Sequence, residues 1–293
     1  MKNSPLVSVI IPTFNRSNLL LRAVKSVLSQ TYSKIEVIVI DDASTDNTEN
    51  TIKKIQKIHK NILYIKHKDN KGGSAARNSG IKKSKGEYVA FLDDDDQWLP
   101  EKINKQITCL KNKDRDWGGV YCGYKIIIKN RLIEKNKVSN KEGNLTKDIF
   151  LMRSNAYGST LLVRKEVFKK IGLFDESFKR HQDLEFIIRF FREYKLCSVP
   201  EVLVNVYGHN FPKAESVIEI KNKFFTKFKN DLNRFSAQEI NHIYAVSYLE
   251  IASLFAREKN IRKTVEYLNI SLKKKIINPI YYFKLLITIF FNL

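Results

Sequence analysis

Four consecutive aspartates are the residues of this chain with the clearest capacity for chemistry. They follow an apolar stretch in the segment FLDDDDQW, from Phe91 to Trp98. Several like charges at one point are unfavourable unless a cation or a donor-rich ligand neutralises them. Carboxylate oxygens suit hard cations, and Mg²⁺ in proteins typically uses one or two carboxylates together with substrate phosphates. The run therefore predicts a site for Mg²⁺ or Mn²⁺, with a solvated acidic turn as the alternative.

The acid run belongs to an alternating pattern that would position it. Four short apolar stretches read as buried strands: residues 7–12, 35–40, 62–67 and 88–93. Helical spacing of apolar residues separates them at residues 18–30, 49–60 and 75–83. This alternation predicts an α/β fold with a mainly parallel central sheet covered on both faces. Ligands bind at the carboxyl ends of such strands, where the chain carries residues 12–15, 41–44 and 93–96.

The pattern is looser after Trp98. Strand candidates remain at residues 120–128 and 160–165, with helices near 165–172 and 183–194. From about residue 215 the chain reads as helices only, at residues 220–233, 237–258, 262–274 and 279–293. This change predicts a helical appendage after the sheet.

The net charge of +21 would suit a polyanionic partner, such as an anionic membrane face or a phosphate-bearing substrate. A general bias towards Lys, Asn and Ile explains the charge equally well. Basic residues are not interleaved with aromatic ones as in nucleic-acid-binding proteins, so no nucleic-acid partner is expected. Three dispersed cysteines, Cys109, Cys122 and Cys197, indicate neither a disulfide framework nor a zinc site. With no signal-peptide pattern near Met1, we expect a cytoplasmic protein.

The last fifteen residues, PIYYFKLLITIFFNL, are strongly apolar. As a helix they would extend about 22 Å, less than the roughly 30 Å hydrocarbon core of a bilayer. We therefore expect this segment not to cross a membrane. It could lie on an anionic membrane face, aided by Lys273–Lys275, or pack on protein; the sequence favours neither, and the oligomeric state also stays open.

Five segments together resemble the family 2 glycosyltransferases of the GT-A fold. They span residues 7–209 in the order VSVIIPTFNR, QTYSKIEVIVIDDASTDNT, GGSAARNSGI, GEYVAFLDDDD and GLFDESFKRHQDLEF. Each is weak alone, but their joint order and spacing are specific. The resemblance implies an inverting, metal-dependent transfer from a nucleotide-diphosphate sugar, with a UDP-sugar favoured, to a hydroxyl of a glycan or lipid-linked glycan. It also implies a catalytic domain over residues 1–214, with a nucleotide-binding half (1–110) and an acceptor half (111–214), followed by a helical accessory region (215–293).

The resemblance carries over to individual residues of this chain. It implies that the nucleotide-sugar is bound by Pro12, Thr13, Asn15, Asp42, Arg77, Asp93 and Asp94. Asp95 corresponds to the metal ligand on the diphosphate, and His209 to a histidine that reaches the diphosphate or the metal. A structural histidine is the alternative for His209, and a surface helix arginine for Arg77.

Asp183 is implied as the general base that takes the acceptor proton. The family often has Glu immediately before this Asp, whereas this chain has Gln182. Glu185 is the rival base, and both acids could instead begin an amphipathic helix, where the helix dipole favours them.

Two other functions compete with sugar transfer. A sugar-phosphate nucleotidyltransferase would need a Gly-rich basic phosphate loop near the first strand, and PTFNRS lacks one. A non-catalytic nucleotide or membrane-binding protein would not need both an acidic metal run and a separate acid ninety residues later.

Overall fold

The computed structural model describes residues 4–127, 135–208 and 211–278, together with Tyr282 and Leu285. The chain divides into two compact units. The first comprises Met1–Thr146 and Ser154–Gly208, and the second comprises Lys147–Arg153 and His209–Leu293.

A mixed β-sheet forms the centre of the first unit. Its strands in the described part of the chain are β1 (Val7–Thr13), β2 (Ile35–Asp41), β3 (Ile62–Lys66), β4 (Tyr88–Phe91), β5 (Gln97–Trp98), β6 (Trp117–Ile127), β7 (Lys135–Lys137), β8 (Leu162–Arg164) and β9 (Lys195–Tyr207). The spatial order is β3-β2-β1-β4-β8-β6-β9-β5, with β7 paired to β6. Strands β1 to β4 are parallel, β8 is antiparallel to both of its neighbours, and β6 and β9 are parallel. Most of the strands thus share one direction, and the predicted fold class is confirmed.

The described residues up to Gly208 contain seven helices, of which the fifth belongs to the second unit apart from Thr146. They are α1 (Ser17–Leu28), α2 (Thr48–Ile58), α3 (Gly73–Lys83), α4 (Lys102–Lys111), α5 (Thr146–Phe150), α6 (Glu166–Ile171) and α7 (Gln182–Phe190). The first four strands and three helices lie where the periodicity predicts them. The β-branched residues of β1 and β2 are buried almost throughout, as expected of strands covered on both faces.

Helix α4 and strand β9 are among the elements of the first unit that were not predicted. Helix α4 buries Ile103, Ile107 and Leu110 at helical spacing, a signal that was present in the sequence but not used. Strand β9 contains Pro200, which normally argues against a strand interior. The pairing with β6 shifts register between Val199 and Val202, so Pro200 lies in an irregularity rather than in the regular ladder.

The second unit is helical in its described part. After α5 it contains α8 (Ala214–Lys227), α9 (Lys229–Leu232), α10 (Ala237–Arg257) and α11 (Ile261–Lys274). The helix predicted over 220–233 begins earlier, and α8 and α9 are separate helices that meet at Phe228. Ser236 and Glu239 cap α10 reciprocally, which satisfies two backbone donors at its start. The helix predicted over 279–293 lies outside the described residues apart from Tyr282 and Leu285.

None of the helices that the structure describes combines the length and the hydropathy needed to span a bilayer.

Candidate active site

The loops that follow β1, β2 and β4 meet at one edge of the sheet. Thr13 pairs with Asp41 across β1 and β2, and Ile10 pairs with Phe91 across β1 and β4. A cleft of about 370 Å³ opens at this edge. Of the predicted residues it is lined by Pro12, Thr13, Asp42, Arg77, Asp93, Asp94 and Asp95. Further lining residues are Phe14, Arg16, Gly73, Ala76 and Gln182.

Three of the four consecutive aspartates converge. Asp93, Asp95 and Asp96 each offer a carboxylate oxygen, and these oxygens all lie within 4.8 Å of one another. Burial, reinforced by the charge of Asp93, raises the pKa of Asp96 well above its ordinary value. Carboxylate oxygens this close to one another repel, and hard oxygen ligands of this kind fit Mg²⁺ or Mn²⁺. These three residues could therefore hold a divalent cation.

Asp94 faces the loop after β1 instead. Thr13 Oγ1 donates a hydrogen bond of 2.7 Å to Asp94 Oδ2, and Arg16 Nη1 lies 3.0 Å from Asp94 Oδ1. Burial raises the pKa of Asp94 to about 6, against the opposing hydrogen bond from Thr13 and the charge of Arg16. Asp94 thus connects the four consecutive aspartates to β1 and to the loop that follows it.

Arg16 supplies a positive charge to the acid run that sequence reasoning missed. Its Nη1 lies 2.6 Å from Asp95 Oδ2 as well as 3.0 Å from Asp94 Oδ1, and 46% of its side chain is exposed. The signal that could have identified it is position, because the PTFNR segment ends at this residue and follows a strand adjacent to β4.

A short 3₁₀ turn, Gly158–Thr160, fixes the acid run from the other side. Ser159 Oγ accepts a hydrogen bond from the Asp93 N–H at 3.1 Å and donates one to Asp96 Oδ2 at 2.6 Å. Trp98 Nε1 donates to the Ser159 carbonyl at 2.8 Å. Trp98 is only 2% exposed and is part of the core, and from there it holds the turn in place.

Asp183 lies next to this turn, at the start of α7. The helix follows His181, whose φ of 56° places it in the left-handed region. A Cβ added to Gly158 would lie 3.4 Å from Asp183 Oδ2 and 3.3 Å from Asp93 Oδ2. Gly158 therefore leaves the space in which the candidate base and the carboxylate cluster come together. Burial raises the pKa of Asp183 to about 6, with Arg77 opposing this shift and Asp93 reinforcing it.

Arg77 lies behind these two acids rather than on the surface. It is 4% exposed, and its Nη2 is 2.5 Å from Asp93 Oδ1. Burial opposes its charge, but Asp93 and Asp183 raise its pKa. The buried Nε has no hydrogen-bond partner among the described residues, which leaves one donor of an Arg fork for an anionic oxygen.

Glu185, the rival base, points into the core. It is fully buried, and both of its oxygens pair with Arg189, at 2.6 Å to Nε and 2.7 Å to Nη2. Arg189 in turn donates to the carbonyls of Ile171 and Leu173. This carboxylate is part of a buried structural network.

Asp42 and Asn15, also predicted to bind the nucleotide, connect loops through hydrogen bonds. Asp42 accepts from the backbone N–H groups of Lys71 and Gly72 and lies 2.7 Å from His67 Nδ1, while still lining the cleft. Asn15 has a φ of 54°, and its Oδ1 accepts from the Thr45 N–H at 2.7 Å. Asn15 therefore joins two loops and does not itself line the cleft. The remaining predicted residue, His209, lies outside the described residues.

Comparison with known proteins gives one family. The model of "Glycosyl transferase family 2" matches residues 8–172. An uncharacterized glycosyltransferase of Rickettsia typhi is 33% identical over 94% of this chain and 87% of its own length. The GalNAc(5)-diNAcBac-PP-undecaprenol beta-1,3-glucosyltransferase of Campylobacter jejuni is 29% identical over 90% of this chain and 78% of its own.

Solved structures share the fold at low identity. S. aureus TarS 1-349 in complex with UDP-GlcNAc is 16% identical with a TM-score of 0.61, and the match covers 92% of this chain and 91% of that one. The mannosyltransferase PcManGT of Pyrobaculum calidifontis, in complex with GDP-Man and Mn²⁺, is 17% identical with a TM-score of 0.60, covering 99% and 88%.

Proposed function

The chain belongs to glycosyl transferase family 2, and we propose that it transfers a sugar, with inversion, from a nucleotide-diphosphate sugar to a hydroxyl of a lipid-linked glycan. One observation carries the proposal: the candidate base Asp183 and the carboxylate cluster of Asp93, Asp95 and Asp96 flank a single glycine, Gly158. Single displacement needs a proton acceptor on one side of the reacting carbon and charge stabilisation on the other.

Asp95, with Asp93 and Asp96, would hold Mg²⁺ or Mn²⁺. Bound there, the cation supplies Lewis-acid stabilisation of the charge that develops on the leaving diphosphate. Arg16, half exposed beside the same acids, offers a second cation to the diphosphate. The Arg77 Nε, which has no hydrogen-bond partner among the described residues, could also donate to an anionic oxygen. The nucleoside would be held by Pro12, Thr13, Asp42 and the other residues that line the cleft.

Asp183 acts on the acceptor. Its carboxylate takes the proton of the attacking hydroxyl as the new bond from that oxygen to the anomeric carbon forms. The bond from the anomeric carbon to the diphosphate oxygen breaks, and its electron pair leaves with the nucleoside diphosphate. Attack opposite the leaving group inverts the anomeric centre. Glu185 is not available for this step because Arg189 occupies both of its oxygens.

The identities of donor and acceptor rest on the relatives. TarS was solved with UDP-GlcNAc, and the C. jejuni relative is named for a lipid-linked acceptor; we adopt a UDP-sugar and a polyprenyl-linked glycan on that basis. A lipid-linked acceptor and the net charge of +21 support a location at the cytoplasmic face of the membrane, to which the basic chain is attracted by charge.

A donor screen tests the proposal. The full chain is heated with UDP, GDP and their sugars in the presence of Mn²⁺, and the true donor at 100 times its Kd should add about 2.7 kcal/mol of stability. The same donor, supplied with purified lipid-linked glycan, should release nucleoside diphosphate. Release of pyrophosphate from a nucleoside triphosphate would indicate a nucleotidyltransferase instead. Binding without release under all acceptors would indicate a non-catalytic module.

A further inference from the structure

A second cavity lies in the helical unit, and the proposed sugar transfer does not use it. It encloses about 580 Å³, within the roughly 300–1,000 Å³ of small-molecule sites. Its walls come from the turn after α5, from α10 and from the segment after α11, all in the second unit. Apolar side chains form most of the wall, including Leu151, Val246, Leu249 and Ile277.

Basic groups lie among these apolar side chains. Arg153 and Arg257 both line the cavity, and Arg153 Nη2 is 3.4 Å from His242 Nε2. The acid in the lining, Glu250, has the Lys221 ammonium 2.7 Å away as its counter-ion. The charge of the lining is therefore positive.

The positive charge around the cavity also acts on His242. Burial, and then the charges of Arg153, Lys275 and Lys147, hold its pKa below the ordinary value. An anion bound in the cavity beside His242 and Arg153 would relieve the repulsion that disfavours the imidazolium.

We propose that this cavity binds a lipid phosphate, with the hydrocarbon chain against the apolar wall and the phosphate on Arg153, Arg257 and His242. An apolar cavity alone would suit an uncharged hydrophobe, and a basic patch alone would suit a free anion; their combination selects an amphiphile. Guanidinium groups match phosphate oxygens in geometry and charge. The inference rests on the proposed function in one respect: the lipid-linked acceptor proposed above is the reason to expect a lipid phosphate as the amphiphile.

Calorimetric titration of the full chain, without donor or metal, tests the site directly. The probes are decyl phosphate, octyl phosphate, octanol and inorganic phosphate, all below their micellar concentrations. Each buried methylene contributes about 0.8 kcal/mol, so decyl phosphate should bind roughly 15-fold more tightly than octyl phosphate. Both should bind at least tenfold more tightly than octanol or inorganic phosphate.

Two variants distinguish the contribution of the phosphate group from that of the alkyl chain. Arg153 is exposed, so Arg153→Gln should fold normally and weaken decyl phosphate binding roughly tenfold or more, the scale of a charge-assisted hydrogen bond. Val246→Trp places an indole in the cavity and should remove the dependence on chain length. Arg262→Gln is the matched control, because Arg262 is exposed on α11 and does not line the cavity.

His242 gives a readout that loss of folding would not produce. Its pKa, followed by NMR with His242→Gln for assignment, should rise on addition of decyl phosphate and not on addition of octanol. Equal affinity for octyl and decyl phosphate, tight binding of inorganic phosphate alone, or an equal loss in Arg262→Gln and Arg153→Gln would overturn the lipid site. If the affinity depends on the length of the alkyl chain but the protein transfers no sugar, the lipid site stands and the proposed function is refuted.

Discussion

Replacing Asp183 with asparagine isolates the proton transfer from the rest of the site. Asparagine keeps the size of the side chain and an oxygen that can accept from the Gly158 N–H, the backbone bond that the carboxylate receives. It removes the only proton-accepting charge at this position. Asp93 loses a like-charged neighbour and keeps its contact with Arg77 at 2.5 Å. Metal and donor binding should therefore change little.

The expected loss is in turnover. A positioned general base contributes roughly 10²–10⁴-fold, which corresponds to about 2.7–5.4 kcal/mol of transition-state stabilisation. The Asp183→Asn variant should lose kcat by at least about 100-fold, with the donor KM within a few-fold of the parent. The assay is nucleoside diphosphate release in the presence of acceptor, alongside donor affinity from calorimetry.

The pH profile provides a second measurement of the same group. Burial raises the pKa of Asp183 to about 6, and the base must be deprotonated to work. The parent's log kcat/KM should therefore be level above about pH 6 and fall by about one unit per pH unit below it. The residual activity of Asp183→Asn should lack this limb.

Glu185→Gln is the contrasting variant. Because Glu185 pairs with Arg189 through both oxygens and is fully buried, removing its charge should cost stability, on the order of 3–5 kcal/mol for a broken buried pair. The molecules that remain folded should transfer sugar at near the parental rate. If Asp183→Asn transfers at the parental rate while folded Glu185→Gln does not, the assignment of the base is wrong.

Three further changes test the surroundings of the base. Asp95→Asn should reduce Mn²⁺-dependent nucleotide binding and transfer together, and full activity in excess chelator would contradict a metal role. Ser159→Ala removes the hydroxyl that bonds Asp93 and Asp96 and should lower metal affinity by roughly 10–100-fold, the scale for lost outer-shell partners; calorimetric titration with Mn²⁺ measures it, and an unchanged affinity would mean that the turn does not position these acids. Gly158→Ala puts a methyl group 3.3 Å and 3.4 Å from two carboxylate oxygens at a φ of 31°, and should reduce kcat in nucleoside diphosphate release more than it reduces the melting temperature; the reverse order would make Gly158 a folding residue only. The full chain should sediment with anionic vesicles at low salt and detach at about 0.5 M salt, where screening shortens the reach of charge; neutral vesicles are the control, and equal binding to both would exclude attachment by charge.

Much of the first unit could be predicted from local sequence. Buried β-branched runs and helical spacing located the first four strands and three helices, because these patterns depend only on which residues must leave water. Parallel strand order then placed the acid run and the loop after β1 at one edge. The family resemblance added roles for individual residues, which local pattern alone does not supply.

Only the tertiary structure decided which acids act together. Asp96 joins Asp93 and Asp95 because its backbone N–H bonds the Asp93 carbonyl in a turn, while Asp94 faces Arg16. The 3₁₀ turn at Gly158–Thr160 reaches the acid run from a distant part of the chain, and no local periodicity marks it. Likewise, Cys109, Cys197 and Glu142 are dispersed in sequence, yet their sulfurs and a carboxylate oxygen lie within 4.8 Å of one another.

The choice between Asp183 and Glu185 as the base shows why local sequence alone does not identify the residues of the site. Two residues apart on α7 they project about 200° apart, so the sequence by itself determined that they face opposite sides of the helix. Which of the two lies beside Asp93 depended on Arg189 and the carbonyls it binds on the core side, and on Gly158, which leaves room for Asp183 on the other side. Local sequence determines the direction of a side chain relative to its own element, whereas its partners are determined by packing between elements that are distant in the chain.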